Sequence, residues 1–515
     1  MQPSAMDVTR WCVVSPAVCC VVGIFLLMYI YGIWRLRLLS SAGIPGPAPT
    51  IFLGNFTHFA TKGLVDPSRR LRKRYGKVYG QYVGAQPFII VHDMDILKEV
   101  LVKKFDNFTN RKTVISSIDV NQLAFGAALN FSRDAQWYRL RRIMTAAFSG
   151  SKIRHMCGQL NAVAAVLAAN LGAAAEEQEP CCVREYFVPY VLDTIANTTL
   201  GVQINTQKDF NHPLVINMTQ IFARGFRKWK LLFLSVAFPV IKPMLKICGV
   251  HTFETSALYF LRTFVKSIIN KRQKQPESQK HVDLLHILID ANENNVHEGT
   301  PPLRSCNHVS FDEVHAQGML FLATFDGLSV PLSFLAHALA THPDVQKALF
   351  DEIHSVVGDQ EEPTWDNVRN MEYLDHVIRE TLRLYPPLTF IGRETANTVT
   401  IKGYTFPKGS TVIIPSLEIQ RDPDYYDEPD TFLPDRWKGN INPLAWLPFG
   451  YGQRQCLAVR LAMLTMKIAI IHVLRKVKFV TLPGTPDLLE LEYPTIGRIV
   501  PKQAIKLRIE LRDRA

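Results

Sequence analysis

Cys456 stands in the stretch Phe449-Gly450-Tyr451-Gly452-Gln453-Arg454-Gln455-Cys456-Leu457-Ala458, directly before an apolar helical pattern. Free N–H groups at a helix amino terminus favour a thiolate, and the thiolate is the form of cysteine that ligates metals. Glycines in the same stretch let a loop approach a flat ligand closely. The chain has nine cysteines without a single C-x-x-C, so neither a zinc site nor a disulfide framework is indicated. Cys456 is therefore the one cysteine whose surroundings suggest chemistry.

Three further sets of charged residues have suggestive spacing. Glu380 and Arg383 share one helix face ahead of Tyr385-Pro386-Pro387, a spacing that by itself usually means a weak surface contact. Arg436 lies in Phe432-Leu433-Pro434-Asp435-Arg436-Trp437. Trp137 and Arg141, in Trp137-Tyr138-Arg139-Leu140-Arg141, are one helical turn apart and can reach the same group. Arginine suits carboxylates because its planar fork binds them bidentately.

Taken in this order, the stretches resemble the cytochrome P450 family, whose ligand loop reads F-x-x-G-x-R-x-C-x-G; Ala458 stands in the last glycine's place. The resemblance spans about residues 43 to 510 and is closest in 339–345, 371–387 and 421–437. It is strongest toward the vertebrate drug- and steroid-metabolising clan that also contains thromboxane synthase. What it implies is haem b with Cys456 as axial thiolate ligand, and Arg111, Trp137, Arg141, Arg393, Phe449 and Arg454 around the cofactor. The four arginines would hold its propionates. Glu380, Arg383 and Arg436 would form a structural network behind the loop. The implied reaction is monooxygenation of a lipophilic substrate, with electrons from NADPH through NADPH-cytochrome P450 reductase and cytochrome b5 as a further donor.

The family pattern breaks in Ala323-Thr324-Phe325-Asp326-Gly327-Leu328-Ser329. In relatives this segment crosses the distal face of the haem and carries an acid followed by a threonine that helps to deliver protons. Asp326 keeps the acid, Gly327 replaces the threonine, and Thr324 replaces a glycine. Thr324, Asp326 and Gly327 are thus the candidate catalytic positions. Pro331 has no N–H for the Gly327 carbonyl, so a kink is expected there. Two other readings stay open: a haem-thiolate peroxide isomerase or dehydratase of the thromboxane synthase type, needing neither O2 nor reductase, and a haem-binding protein with little activity. By position, the pocket walls would include parts of 112–130, Phe325, Leu388, Thr389, Phe390, Ile391, Thr495 and Ile496.

The elements that must position these residues read as mainly α with a small β lobe. Helical spacing marks 135–150, 160–172, 253–273, 310–342, 344–357, 373–384 and 456–474, and strand-like runs mark 78–91 and 398–414. Ser310 and Glu313 have capping-box spacing. No linker divides the body, so one large domain over 51–515 is expected, with a cytochrome P450 fold. Before it, 1–10 is a lumenal tail, 11–34 a transmembrane anchor and 35–50 a basic, proline-rich hinge, in which residues 44–49 are expected to be stiff and extended rather than helix or strand. The anchor has 24 residues without a charge, enough to cross a bilayer. Arginines after it put the body in the cytosol of an endoplasmic reticulum membrane, in a single pass. Five Asn-x-Ser/Thr sequons are then chance matches.

The net charge of +12 favours an anionic partner. No zinc-finger, recognition-helix or stacking pattern accompanies it, so nucleic acid is not expected. Arg139, Arg142 and Lys467 are the cations expected to meet an acidic reductase. The cluster at 69–74 could hold anionic headgroups. The apolar run 221–247, interleaved with cations and prolines, is expected to dip into the membrane face and guide a lipophilic substrate.

Overall fold

The structure is a computed structural model that describes residues 16–55, 66–111, 125–224, 242–248, 255–274, 283–293, 308–358, 362–495 and 497–512. The tail 1–10, the first residues of the anchor, most of 221–247, residues 112–124 and Ile496 lie outside them.

The body is mostly helical, with small sheets. Its long amphipathic helices bury their apolar stripes against one another. Helix Cys157–Glu176 is rich in alanine, which loses no side-chain entropy in a helix, and it packs along Val459–Lys476. Leu160, Leu167 and Leu171 on its buried face are fully enclosed, each worth about 2 kcal/mol of transfer free energy. These two helices, with Val183–Ile195, Asp326–Thr341 and Glu372–Leu384, make one large core. Cys157–Glu176 and Phe311–Thr341 are apolar enough to cross a membrane, yet both are largely buried inside the body.

The main sheet has the strand order Val78–Val83, Gln86–Val91, Thr411–Ile414, Ile391–Glu394. The first and last pairings are antiparallel and the middle one is parallel. A second, smaller core lies under it. The sequence run 78–91 is thus a hairpin, and 398–414 splits into Val399–Ile401, Tyr404–Phe406 and Thr411–Ile414.

Residues 44–49 are neither helix nor strand, as expected, but the hinge 35–50 is not free of the body. Leu38–Ser41 is a helical turn, and Leu39 and Ile44 are buried in the smaller core. The Tyr82 hydroxyl accepts from the Leu39 amide at 2.8 Å, and the Pro45 carbonyl accepts from the Gly80 amide at 2.7 Å. The proline-rich segment is docked on the sheet. Helix Val183–Ile195, with Pro189 inside it, was not legible from periodicity, because from Phe187 onward it is buried all round and only its first turn shows polar residues.

The expected helix 310–342 is two helices, Phe311–Ala323 and Asp326–Thr341. Ser310 and Glu313 do form the capping box at its start. The break lies at Thr324-Phe325, one turn earlier than the kink expected from Gly327 and Pro331. Pro331 sits inside the second helix without ending it.

Candidate functional site

The loop that carries Cys456 is shaped by its own backbone. The Gly450 amide donates to the Leu447 carbonyl at 3.0 Å, the Gln455 amide to Gly452 at 2.9 Å, and the Cys456 amide to Phe449 at 2.8 Å. Gly452 has φ +74°, and a Cβ there would collide with the Leu101 carbonyl, so only glycine fits. Two guanidiniums pin the loop from outside. Arg141 Nη1 donates to the Gln455 carbonyl at 2.8 Å, and Arg111 Nη2 to the Arg454 carbonyl at 3.0 Å.

Burial raises the Cys456 thiol pKa, over the opposing pull of the Ala458 amide, Arg111 and Arg141. The residue nonetheless keeps accessible surface. A sulfur that is both desolvated and accessible faces space walled by protein.

Around it stands a cluster of cations. Arg454 donates from Nε to the Thr109 carbonyl at 2.9 Å and from Nη2 to Ser132 at 2.9 Å, with its guanidinium 4.2 Å over the Trp137 ring. Arg393 is 1% exposed, donates from Nη1 to its neighbour's carbonyl, and leaves Nε without a partner. Desolvation lowers the pKa of all four arginines; Arg111 and Arg454 lower Arg393 further, and Arg111 and Arg141 lower Arg454 further. Among the described residues none of the four pairs with a carboxylate. A group carrying two carboxylates and a metal cation would supply the missing counter-charge and a partner for the thiolate. Haem b, expected from the resemblance, fits this donor set.

Glu380 is the hub of a second arrangement. Its carboxylate, fully buried, accepts from Arg383 Nε and Nη2 at 2.8 Å each. It also accepts from Arg436 Nε at 2.9 Å, Trp437 Nε1 at 3.0 Å and the Leu433 amide at 2.9 Å. Arg383 reaches on to the carbonyls of Gln420, Pro429 and Thr431. Gln420 carries the connection to the ligand loop, because its Oε1 accepts from the Leu447 amide at 2.7 Å. Its role left no trace in the sequence, since a lone glutamine matches no motif.

On the broken helix the candidates separate. Ala323, Thr324, Gly327 and Leu328 form a strip with accessible surface between fully buried neighbours. A Cβ on Gly327 would meet nothing within 4 Å. The Thr324 hydroxyl donates to the Phe321 carbonyl at 2.6 Å. Asp326 turns elsewhere: it pairs with Arg184 at 2.7 Å and with Arg498. Both partners are remote in sequence, and no spacing rule could have found them.

The expected pocket residues differ in exposure. Phe325 is fully buried in the large core, whereas Leu388 is exposed. Thr389 is buried, its amide bonded to the Gly497 carbonyl at 2.7 Å and its hydroxyl oxygen without a partner. Phe390 covers Gly497, and Ile391 lies beside Gly450.

Two of the three cations expected to meet a reductase are committed internally. Arg139 Nη1 pairs with Glu313 at 3.1 Å and also reaches the His308 carbonyl. Lys467 is buried and pairs with Asp375 at 2.9 Å. Within the 69–74 cluster, Arg72 is held by Asp422 and Asp424. The sequon at Asn55 is buried, with its side chain bonded to the Tyr82 amide at 2.9 Å.

The family model described as Cytochrome P450 matches residues 44–508. The chain is similar to cytochrome P450 3A7 of Homo sapiens, at 35% identity over 497 residues and 95% of each chain. It is similar also to cytochrome P450 3A9 of Rattus norvegicus, at 33% over 494 residues and 95% of each chain. With cytochrome P450 3A29 of Sus scrofa the identity is 34% over 493 residues, again 95% of each chain.

Proposed function

The chain belongs to the cytochrome P450 family, a family of haem-thiolate monooxygenases, and on that premise we propose that it inserts one oxygen atom of O2 into a lipophilic substrate, using electrons from NADPH delivered by NADPH-cytochrome P450 reductase, with cytochrome b5 as a further donor. The observation that carries this reading is the accessible but desolvated Cys456 thiol among four arginines, of which Arg393 and Arg454 are buried and Arg111 and Arg141 half-buried. When bound, the haem with its thiolate ligand supplies the oxygen-activating chemistry.

The chain's own residues have separable tasks. Cys456 would ligate the haem iron through its thiolate, Arg111, Arg141, Arg393 and Arg454 would hold the propionates, and Trp137 and Phe449 would help to enclose the cofactor. Glu380, Arg383 and Arg436 hold the ligand loop in place through Gln420. Asp326 keeps the distal helix in register through Arg184 and Arg498 rather than releasing a proton. Thr324 commits its proton to a backbone carbonyl. Water reaching the open space beside Gly327 is then the proton source.

The same distal arrangement favours a second reading. With Asp326 ion-paired, Thr324 donating to backbone and no side chain at Gly327, the distal strip suits a peroxide isomerase or dehydratase of the thromboxane synthase type, which splits a peroxide bond already present in its substrate. One paired experiment separates the readings. The holoprotein is given NADPH, reductase and 18O2 with a panel of lipophilic compounds, and in parallel a lipid hydroperoxide or endoperoxide without reductant. 18O in the product supports monooxygenation, rearrangement without reductant supports the isomerase, and no turnover in either arm leaves a haem-binding protein with little activity.

Location follows from the same proposal: a single-pass endoplasmic reticulum protein with 1–10 lumenal, 11–34 in the bilayer, 35–50 linking and 51–515 cytosolic. The apolar surface of helix Pro16–Leu36, exposed at Leu26, Leu27, Ile30 and Trp34, supports it. Met244 and Ile247, exposed within the run 221–247, support a membrane-facing route for substrate.

A further inference from the structure

A cleft of about 320 Å³ opens where the last turn of helix Asp326–Thr341 meets the end of Glu372–Leu384. His337 on its wall is ten residues beyond Gly327, about 15 Å along the helix, so the cleft is separate from the distal strip. None of its lining residues belongs to the Cys456 cluster.

The walls combine aromatic rings with carboxylates. Phe432 and Tyr385 line it, together with His342 and Leu488. The Phe432 and His342 rings are 5.0 Å apart, and Tyr385 is stacked on buried Phe334 at 4.3 Å with the Arg421 guanidinium 5.5 Å over its ring, so the rings are held in fixed orientations and Phe432 is the ring left for a ligand. Asp430 and Asp487 supply the charge. Arg421 pairs with Asp430 at 3.4 Å, whereas Asp487 has no partner among the described residues. Asp487 thus puts one unpaired carboxylate at the cleft, while Arg383 and Arg436 stand behind its wall, bonded to the Thr431 carbonyl. His337 adds no positive charge, because burial lowers its pKa and its Nε2 is bonded to the Pro486 carbonyl at 2.9 Å. Two helices end here and helix Pro343–Val357 begins at His342, so the helix dipoles oppose one another at the cleft.

The fixed Phe432 ring beside the unpaired Asp487 carboxylate offers the elements that recognise organic cations. We propose that this cleft binds a small monovalent organic cation with an apolar body, its ammonium group beside Asp487 and its body against Phe432 and Leu488. The volume suits a ligand the size of a benzylammonium, at the small end of ligand pockets.

Benzyltrimethylammonium tests this, because its quaternary nitrogen has no lone pair with which to ligate a metal. It is titrated calorimetrically into the holoprotein at low and high salt, and into Asp487→Asn, Phe432→Leu and Gly327→Thr variants whose thermal midpoints are recorded. The dissociation constant is expected to rise about five- to tenfold in Asp487→Asn and in Phe432→Leu, to rise with salt, and to stay unchanged in Gly327→Thr. Binding that ignores salt and Asp487 overturns the proposal, as does binding altered by Gly327→Thr or no saturable binding at millimolar probe. The salt series on the unaltered protein keeps the test decisive if either variant folds poorly.

Discussion

The Thr324 hydroxyl donates to the carbonyl of Phe321, three residues back, at 2.6 Å. That bond lies at the break between the two distal helices, where the Phe325 carbonyl accepts from both Leu328 and Ser329 amides. Threonine bonding back to its own turn bends a helix and uses the proton that a relay would need. Thr324→Ala is therefore expected to leave product formed per NADPH unchanged and to cost about 1 kcal/mol of stability. A large rise in peroxide release from this variant would make Thr324 a proton donor after all.

Gly327→Thr is the complementary change. The added Cβ meets no atom within 4 Å, and threonine is a slightly better helix former than glycine. The variant should fold with at least the parent's thermal midpoint. In the monooxygenase reading it should lower peroxide released per NADPH severalfold, because a distal hydroxyl is restored. Unchanged coupling would show that water alone supplies the protons.

Glu380→Gln should be the most damaging single change outside the ligand loop. The carboxylate accepts bonds from two guanidiniums, an indole and an amide, all around a fully buried site. Neutralising it leaves buried Arg383 without its counter-charge, at about 3–5 kcal/mol. Loss of haem retention together with a lowered unfolding midpoint is expected. A variant that binds haem and unfolds like the parent would remove the network from the account.

Asp326→Asn tests whether the distal acid positions or catalyses. Its partners Arg184 and Arg498 come from separate elements and are only partly screened by solvent. A loss of about 2 kcal/mol is expected, with the pH dependence of turnover unchanged. A changed pH profile at full stability would instead place Asp326 in the reaction.

Stability should fall in mild acid because of His92. Burial, reinforced by Arg72 and Lys77, lowers its pKa to about 3, although Glu418 lies 3.8 Å away. The unfolded chain takes up the same proton near pH 6.5, so the native state is fully favoured above that value and loses ground as pH falls toward 3. By pH 5 the loss from this one residue is about 2 kcal/mol. His472, lowered to about 4 mainly by burial, adds in the same direction. Denaturant midpoints from pH 7.5 to 4.5 should fall steeply for the parent and less for His92→Gln. Equal slopes would remove His92 from the effect.

The candidate site was legible in proportion to how local its chemistry is. The ligand loop was readable because glycines, Arg454 and Cys456 must be contiguous to turn a backbone around a flat group. Glu380 and Arg383 were readable as a pair for the same reason, being one helical turn apart. The helices with one polar face were found from their period, whereas Val183–Ile195, enclosed on all sides from Phe187 onward, carries no such period.

By itself the sequence determined the family and the mainly helical class, and it pointed to Cys456 as the expected ligand and to the residues bearing the arginine cluster. Each of these depends on residue identity at short spacing, which survives in a linear string. Only the tertiary structure decided which charges are spent on one another. Arg139, Lys467 and Arg72 read as free surface cations until Glu313, Asp375 and the pair Asp422 and Asp424 are brought against them. Asp326 read as a proton donor until two remote arginines enclose it. A charge's role depends on what lies within a few ångströms of it, and for these residues the neighbours are set by folding, not by position in the chain.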